Sequence, residues 1–256
     1  MDFSELLLLS ILQGLTEFLP ISSSGHLRLM REFFGLGDLE NSLDIFLHLG
    51  TLFSVVVFFR KKIIEITLGV LRRNKDELEK ASHILVALIP TVFFGLLIEK
   101  VSNGFFSIYL VAICFFLSAL ILILASENRW IKVKAGDMNF RKSFLIGLSQ
   151  GLAAFPGISR SGSTICVGIL SGVRKKEAFE FSFLVSIPAI LGACLLKAKD
   201  VMAIGVEPVF LLSGAFISFL VGIISLFFLQ NLLKKGRLSI FSPYLIVLGI
   251  VTFFLF

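Results

Sequence analysis

Residues 13–27 and 150–164 contain most of the polar side chains that could act chemically on a substrate. They read QGLTEFLPISSSGHL and QGLAAFPGISRSGST, and at an offset of 137 residues positions 13–25 and 150–162 are identical at 8 of 13. Each copy is an apolar segment broken by Pro or Gly, followed by a run of Ser and Gly with one charged or titratable residue. Such a repeat indicates one structural unit used twice.

The Ser- and Gly-rich runs predict an anion-binding site of the kind that cradles phosphate. A helix that starts in such a run presents free backbone N–H groups and the positive end of its dipole, and the glycines allow close backbone approach. The candidate substrate-binding residues are Gln13, Ser22, Ser23, Ser24, Gly25, Ser159, Ser161, Gly162 and Thr164. Simple helix caps and a small-residue packing interface are the alternative, but two such runs, one with an arginine, favour a ligand.

The charged residues of the two copies differ, which favours chemistry over a purely structural repeat. Gln13 and Glu17 are four residues apart and share a helix face, so Glu17 could bind a divalent metal or act as a base. Arg160 at membrane depth needs an anionic partner, either phosphate or Glu17. His26 follows Ser23 by three residues and could be a nucleophile, a base towards Ser23 or water, or a general acid.

The other residues and motifs give weaker indications of function. His48, with Asp44 four residues before it, fits a structural and a functional role equally well. Metal spacing of the H-x-x-x-H kind and the nucleotide motifs G-x-x-x-x-G-K-[ST] and G-x-G-x-x-G are not found in the sequence. A nucleotide site is therefore not expected.

The elements that must position these residues are membrane helices. The 256 residues are 56% hydrophobic and only 16% charged, and the mean hydropathy is +0.95. Apolar stretches long enough to span a bilayer are 43–59, 81–98, 105–125, 178–196, 208–230 and 240–256. The shorter pieces broken at Pro20 and Pro156-Gly157 predict two re-entrant hairpins, because irregular backbone at membrane depth must line protein or a cavity. We expect an all-α polytopic protein with six transmembrane helices and two re-entrant hairpins.

The basic residues predict the orientation of this protein. The loops expected at 60–80 and 127–142, the turn at 174–176 and residues 234–237 hold 18 of the 24 Lys and Arg. The six spans place all four on the cytoplasmic side, as the positive-inside rule requires. The net charge of +6 is thereby explained without nucleic acid.

An odd number of crossings follows each hairpin in this arrangement. We therefore predict one membrane domain, 1–256, made of inverted repeats at roughly 1–126 and 143–256 that are joined by a cytoplasmic loop at 127–142. Inverted repeats bring broken helices together near the bilayer midplane. Both termini are expected outside.

The chain resembles the undecaprenyl-diphosphatase family of membrane phosphatases, also called BacA or UppP. The family motif (E/Q)-x-x-x-E is matched by Gln13–Glu17, and L-P-x-S-S-[ST]-G-H by residues 19–26. The family motif P-G-x-S-R-S-x-x-T is matched at every fixed position by residues 156–164. LHLGTL at 47–52 and FLVSIPAILGA at 183–193 are also family-like.

The resemblance implies hydrolysis of undecaprenyl diphosphate to the monophosphate and phosphate, with bacitracin resistance and recycling of the lipid carrier for peptidoglycan. It implies catalytic roles for Glu17, Ser23, His26 and Arg160, and a Ca²⁺ or Mg²⁺ cofactor held by Glu17 with Gln13. Ser23 is then the candidate nucleophile with His26 as its proton partner, and direct attack by water is the rival. The expected location is the bacterial inner membrane, with the site facing the periplasmic side. The partners are a polyprenyl diphosphate and the bilayer, and a homodimer is left open. A flippase of polyprenyl phosphate lipids is the alternative function, because broken inverted repeats are common in transporters.

Overall fold

Helices make up almost all of the computed structural model, which describes residues 3–35, 41–102, 106–126, 136–196 and 208–255. No β-strand is found in these ranges. The α-helices are α1 (Phe3–Thr16), α2 (Ser23–Phe34), α3 (Asn41–Phe58), α4 (Arg60–Leu71), α5 (Lys75–Ser102), α6 (Ile108–Ser126), α7 (Phe140–Leu152), α8 (Arg160–Leu170), α9 (Lys175–Leu196), α10 (Pro208–Lys234) and α11 (Ser242–Leu255). A short 3₁₀ helix, Leu238–Phe241, precedes α11.

The long helices confirm an all-α polytopic membrane protein. Five described helices are long and apolar enough to cross a bilayer, and the count reaches six if the bent pair α3 and α4 is taken as one span. α1, α2, α7 and α8 have only 14, 12, 13 and 11 residues. At about 1.5 Å per residue each reaches only about 20 Å, less than the hydrocarbon thickness of a bilayer. They therefore form two broken helix pairs, as predicted.

The basic segment 60–80 is helical, so the expectation of a loop there was wrong. α4 occupies Arg60–Leu71, and α5 already begins at Lys75. α4 is bent by 73° from α3, contains no buried residue, and exposes Ile64 and Leu68 on one face. Basic ends beside an exposed apolar face are typical of a helix at a membrane surface. The sequence predicted a loop here because the clustered basic residues lower the hydropathy of this segment.

The first helix of each hairpin packs on a long helix of the other half of the chain. α1 packs against α10, and α7 packs against α5. Ser218 on α10 donates to the backbone oxygen of Ser10 at 2.9 Å, and Thr91 on α5 donates to that of Gly147 at 2.9 Å. Ser10 and Gly147 are separated by the same 137-residue offset as the two motifs. The two halves thus hold each other's hairpins through equivalent contacts.

Glycines allow these helices to approach closely. A Cβ on Gly147 would lie 2.0 Å from the Ala87 backbone oxygen. A Cβ on Gly50, in α3, would lie 2.1 Å from the Ala215 oxygen of α10. Backbones in contact at small residues are a common way to join membrane helices, because the lipid supplies little hydrophobic driving force between them.

An aromatic cluster fixes the end of α1 next to the first break. Phe18 is fully buried, and its ring meets Phe183 of α9 edge-on with centroids 5.5 Å apart. Phe59 stacks on Phe183 at 5.8 Å. Because Phe18 follows Glu17 directly, this packing limits where the carboxylate can go.

Candidate active site

The first break supplies a serine cap at the start of α2. The hydroxyl of Ser22 accepts from the backbone N–H of Gly25 at 3.3 Å, as an N-cap does. Ser22 has φ of 69°, in the left-handed region that residues with a side chain seldom adopt. Ser23 is then the first residue of α2.

The second break repeats this arrangement with a different first residue. The hydroxyl of Ser159 accepts from the backbone N–H of Gly162 at 3.1 Å. Gly157, with φ of 97°, turns the chain before the cap. Arg160 is the first residue of α8, so it takes the place that Ser23 has in the first copy.

The two breaks touch each other in the middle of the bundle. The N–H of Gly157 donates to the Ser22 hydroxyl at 3.1 Å, and the Ser161 hydroxyl donates to the Leu19 carbonyl at 3.3 Å. A Cβ on Gly25 would lie 2.9 Å from the Gly157 Cα and 2.6 Å from the ring of Phe115. The starts of α2 and α8 therefore meet, as the repeat predicted.

A carboxylate at this junction connects the charged residues of the two copies. One oxygen of Glu17 forms a close ion pair with Arg160. The other accepts from the Ser23 hydroxyl at 2.5 Å and from the Gln13 side-chain amide at 3.1 Å. The Glu17 side chain is 5% exposed and that of Arg160 is 16% exposed. Glu17, Arg160, Ser23 and Gln13, four of the predicted site residues, thus form one largely buried cluster.

Two atoms of this cluster lack a protein partner among the described residues. They are Nη1 of Arg160 and Oε1 of Gln13, and both are buried. An unpaired buried donor is costly unless a ligand completes it. The Arg160 Nη1 is therefore suited to an anion.

His48, whose role was left open by the sequence, lies beside Glu17. Its Nε2 is 3.7 Å from Glu17 Oε2, and its Nδ1 is 2.7 Å from the backbone oxygen of Asp44. The carboxylate of Asp44 is paired closely with Arg31. Four-residue spacing within α3 is what joins His48 to the Asp44 carbonyl.

His26 does not contact the Ser23 hydroxyl, as a proton partner would. Its Nδ1 lies 2.7 Å from the Ser22 backbone oxygen and its Nε2 lies 2.6 Å from the Tyr244 hydroxyl. The Ser23 hydroxyl is directed to Glu17 instead. His26 remains near the break, but Glu17 is the group placed to take the Ser23 proton.

The remaining predicted ligand-binding residues differ in access. Ser24 is exposed, and its hydroxyl lies 3.4 Å from that of Ser22. Ser159 and Ser161 hydroxyls lie 3.3 Å apart at the start of α8. Thr164 is fully buried and bonded to the Arg160 carbonyl and the Ser182 hydroxyl. Thr164 therefore supports the turn from behind.

Comparisons with known proteins identify the family of this chain. The family model described as bacitracin resistance protein BacA matches residues 6–251. The chain belongs to this family. A Treponema denticola protein named undecaprenyl-diphosphatase is 41% identical over 260 residues, covering 98% of this chain and 96% of that protein. Proteins of the same name from Desulforapulum autotrophicum and Thermosipho melanesiensis are 38% and 37% identical, each over at least 97% of both chains.

The family resemblance implies a divalent cation, but the residues present do not form a site for one. Calcium and magnesium prefer several oxygen ligands. Glu17 is the carboxylate of the cluster, and Arg160 and Ser23 already bind its two oxygens. Within the described ranges, no group of three or more His, Cys, Asp or Glu side chains could hold a metal ion. Among the described residues of this cluster, Gln13 Oε1 is the further side-chain oxygen without a partner.

Tyr244 and His48 are site residues that sequence reasoning missed or left open. Tyr244 is one of two tyrosines in the chain and lies in the last apolar stretch. A hydroxyl in such a stretch needs a hydrogen-bond partner, and that is the only sequence signal for it. The identity of the partner depends on packing between distant helices.

Proposed function

We propose that this chain hydrolyses undecaprenyl diphosphate to undecaprenyl phosphate and inorganic phosphate. The observation that carries the proposal is the buried Ser23–Glu17–Arg160 cluster, with an unpaired guanidinium nitrogen, at the start of two helices. The relatives named undecaprenyl-diphosphatase, similar over almost their whole length, support the lipid substrate. Such an activity recycles the lipid carrier for peptidoglycan and gives bacitracin resistance.

The terminal phosphate binds at the Arg160 guanidinium and at the free N–H groups of the first turns of α2 and α8. Arg160 uses one nitrogen to hold Glu17 and has Nη1 left for a phosphate oxygen. Helix N-termini attract anions through their N–H groups and dipole. The same donors stabilise charge on the equatorial oxygens during transfer. Gly25 and Gly162 have no side chain, which lets the two breaks pack closely against each other.

Ser23 is the proposed nucleophile. Its Oγ forms a bond to the terminal phosphorus as the bridging P–O bond breaks, so undecaprenyl phosphate leaves with the bond pair. The Ser23 proton passes to the Glu17 oxygen that it already contacts at 2.5 Å. A weak base suffices because phosphoryl transfer has a loose transition state. Water then attacks the phosphoserine phosphorus while Glu17 returns its proton to Ser23 Oγ, which releases inorganic phosphate and restores the Ser23 hydroxyl and the Glu17 carboxylate.

A divalent cation, in this proposal, arrives bound to the diphosphate. The substrate supplies phosphate oxygens of the kind that Mg²⁺ and Ca²⁺ prefer, whereas the protein offers a carboxylate already paired with Arg160. Gln13 belongs to the same motif as Glu17, and its Oε1 has no partner among the described residues. The steps above therefore use only side chains of this chain.

The orientation of the protein is also part of the proposal. With α4 and the basic segments at the cytoplasmic surface, the first hairpin enters from the outside and both termini lie outside in an inner membrane. Single cysteines placed at exposed positions Lys61 and Phe33 would report the sides in intact cells. Labelling of Lys61→Cys by an impermeant maleimide from outside would reverse the assignment.

A flippase of polyprenyl phosphate remains the second candidate function. The observation that favours it is the exchange of hairpins between the halves, with α1 on α10 and α7 on α5. Alternating-access transporters are often built from repeats that pack around a central site. A flippase needs two leaflets, so detergent separates the two functions.

The decisive experiment is phosphate release by purified protein in detergent from undecaprenyl diphosphate labelled at the terminal phosphate. We expect release of inorganic phosphate and, after acid quenching, label on Ser23. Ser23→Ala should lose both, while Ser213→Ala, a hydroxyl bonded to a carbonyl within α10, should keep both. Release without labelling, together with an active Ser23→Ala variant, would replace Ser23 by water. No release at all would leave the flippase.

A further inference from the structure

The last helix of the chain reaches into the site through one phenol. Tyr244, in α11, has its hydroxyl 2.6 Å from Nε2 of His26, a residue 218 positions earlier. The two rings are nearly parallel, at 9°, with centroids 5.7 Å apart. Phe115 meets the His26 ring edge-on at 5.7 Å. Contacts from two other helices thus fix this imidazole.

These two hydrogen bonds select one form of the neutral imidazole. The Ser22 backbone oxygen, 2.7 Å from Nδ1, can only accept, so Nδ1 carries the hydrogen. The neutral ring then has a lone pair on Nε2, and the Tyr244 hydroxyl donates to it. Without this donor only the Ser22 carbonyl would favour the hydrogen at Nδ1, and Nε2 would lose its hydrogen-bond partner.

The Ser22 carbonyl that His26 holds belongs to the turn that aims Ser23. Ser22 has φ of 69°, and a non-glycine residue in this region is strained unless its surroundings fix it. His26 binds its carbonyl, and the N–H groups of Gly25 and Gly157 bind its hydroxyl. The next side chain, Ser23, then points its hydroxyl at Glu17.

We propose that Tyr244 is a positioning residue for phosphoryl transfer, acting on Ser23 through His26 and the Ser22 carbonyl. Its hydroxyl keeps the hydrogen of His26 on Nδ1, where it holds the strained turn. The proposal rests on the proposed role of Ser23 as nucleophile, and it explains how a histidine that does not contact Ser23 matters for the reaction. α11 thereby takes part in the site, although neither repeat motif lies on it.

The test uses the full-length chain in detergent with ¹⁵N-labelled histidine. The chain has only three histidines, so loss of one signal pair in a His26→Gln variant assigns His26. We expect the wild type to show a protonated Nδ1 and an acceptor Nε2, and Tyr244→Phe to show a larger share of the tautomer with its hydrogen on Nε2. We expect kcat to fall about 10- to 100-fold, as for displacement of a reacting group. KM should stay within about twofold, because phosphate binding is unchanged.

Tyr109→Phe is the matched control. Tyr109 is the other tyrosine of the chain, is about half exposed, and contacts Phe253 away from the site. It should keep the wild-type kcat and histidine spectrum.

Two results would overturn the proposal. One is a wild-type His26 with its hydrogen on Nε2, which can be read even if Tyr244→Phe fails to fold. The other is a Tyr244→Phe variant with wild-type kcat and an unchanged His26 spectrum. The spectrum does not depend on turnover, so failure of Ser23 as nucleophile would appear separately, as activity in Ser23→Ala.

Discussion

Replacing Arg160 by Ala removes the cation that lies between the two halves of the site. The Arg160 side chain is 16% exposed and pairs with Glu17, and its Nη1 has no partner among the described residues. If Nη1 binds the transferred phosphoryl group, its loss resembles that of an arginine finger, about 10³–10⁵ in kcat. This corresponds to about 4–7 kcal/mol of transition-state stabilisation. Arg160→Lys keeps the positive charge but loses the bidentate hydrogen-bonding geometry of the guanidinium, so we expect a kcat between those of the wild type and Arg160→Ala.

The same change should destabilise the fold, and a second variant separates the two effects. Glu17 is 5% exposed, and removing one partner of a buried ion pair costs about 3–5 kcal/mol because the other charge is left uncompensated. Adding Glu17→Gln to Arg160→Ala removes that charge. We expect the double variant to regain most of the unfolding temperature in detergent while remaining inactive.

Phosphate release and thermal unfolding, measured on the same preparations, check both expectations. Arg141→Ala is the matched control, since Arg141 is exposed at the start of the same hairpin, and it should be active and stable. If Arg160→Ala lost less than about tenfold in kcat, or about 1.4 kcal/mol, Arg160 would be a structural ion-pair partner only. The reasoning from its unpaired nitrogen would then be refuted.

Two further predictions concern the break and the cation. Gly157→Ala should lower the unfolding temperature by the equivalent of about 1–3 kcal/mol, because φ is 97° and the new Cβ would meet the Val111 oxygen at 2.5 Å. Gly192→Ala is the control, because a Cβ there meets nothing within 4 Å. Equal unfolding temperatures of the two variants would contradict this prediction. Gln13→Glu should create Mg²⁺ or Ca²⁺ binding in calorimetry without diphosphate, since a second carboxylate would face Glu17. The wild type and Gln150→Glu, a change at the equivalent position of the other copy, should show no binding. Metal binding by the wild type in the absence of diphosphate would reject a cation carried by the substrate.

The two hairpins and the proximity of their charged residues could be predicted from the sequence, because unpaired charges are costly in a membrane. A carboxylate and a guanidinium at membrane depth require partners, and repeat symmetry indicated that Glu17 and Arg160 would meet. Helix breaks at Pro20 and Gly157 follow from backbone chemistry alone. These features are local or linked by the repeat.

The partner of His26 could not be predicted in this way. Its spacing to Ser23 suggested a helix-turn contact, but the cap geometry of Ser22 directs the ring to the Ser22 carbonyl. Tyr244 enters only through packing of α11 on α6, which no sequence spacing encodes. α4 was missed for a different reason, since clustered basic residues in Arg60–Leu71 resemble a loop when hydropathy alone is read.

The two copies keep the scaffold and exchange the chemistry. Ser22 and Ser159 cap their helices in the same way, each on a glycine three residues later. The next position is Ser23 in one copy and Arg160 in the other, so in the proposed mechanism equivalent helix starts present a nucleophile and an anion-binding group to the same phosphate. A transporter built on twofold symmetry has no need for this difference, whereas phosphoryl transfer requires unlike groups on the two sides of one phosphorus. The asymmetry therefore favours hydrolysis, and Glu17, bonded to both unlike residues, is the group that couples them.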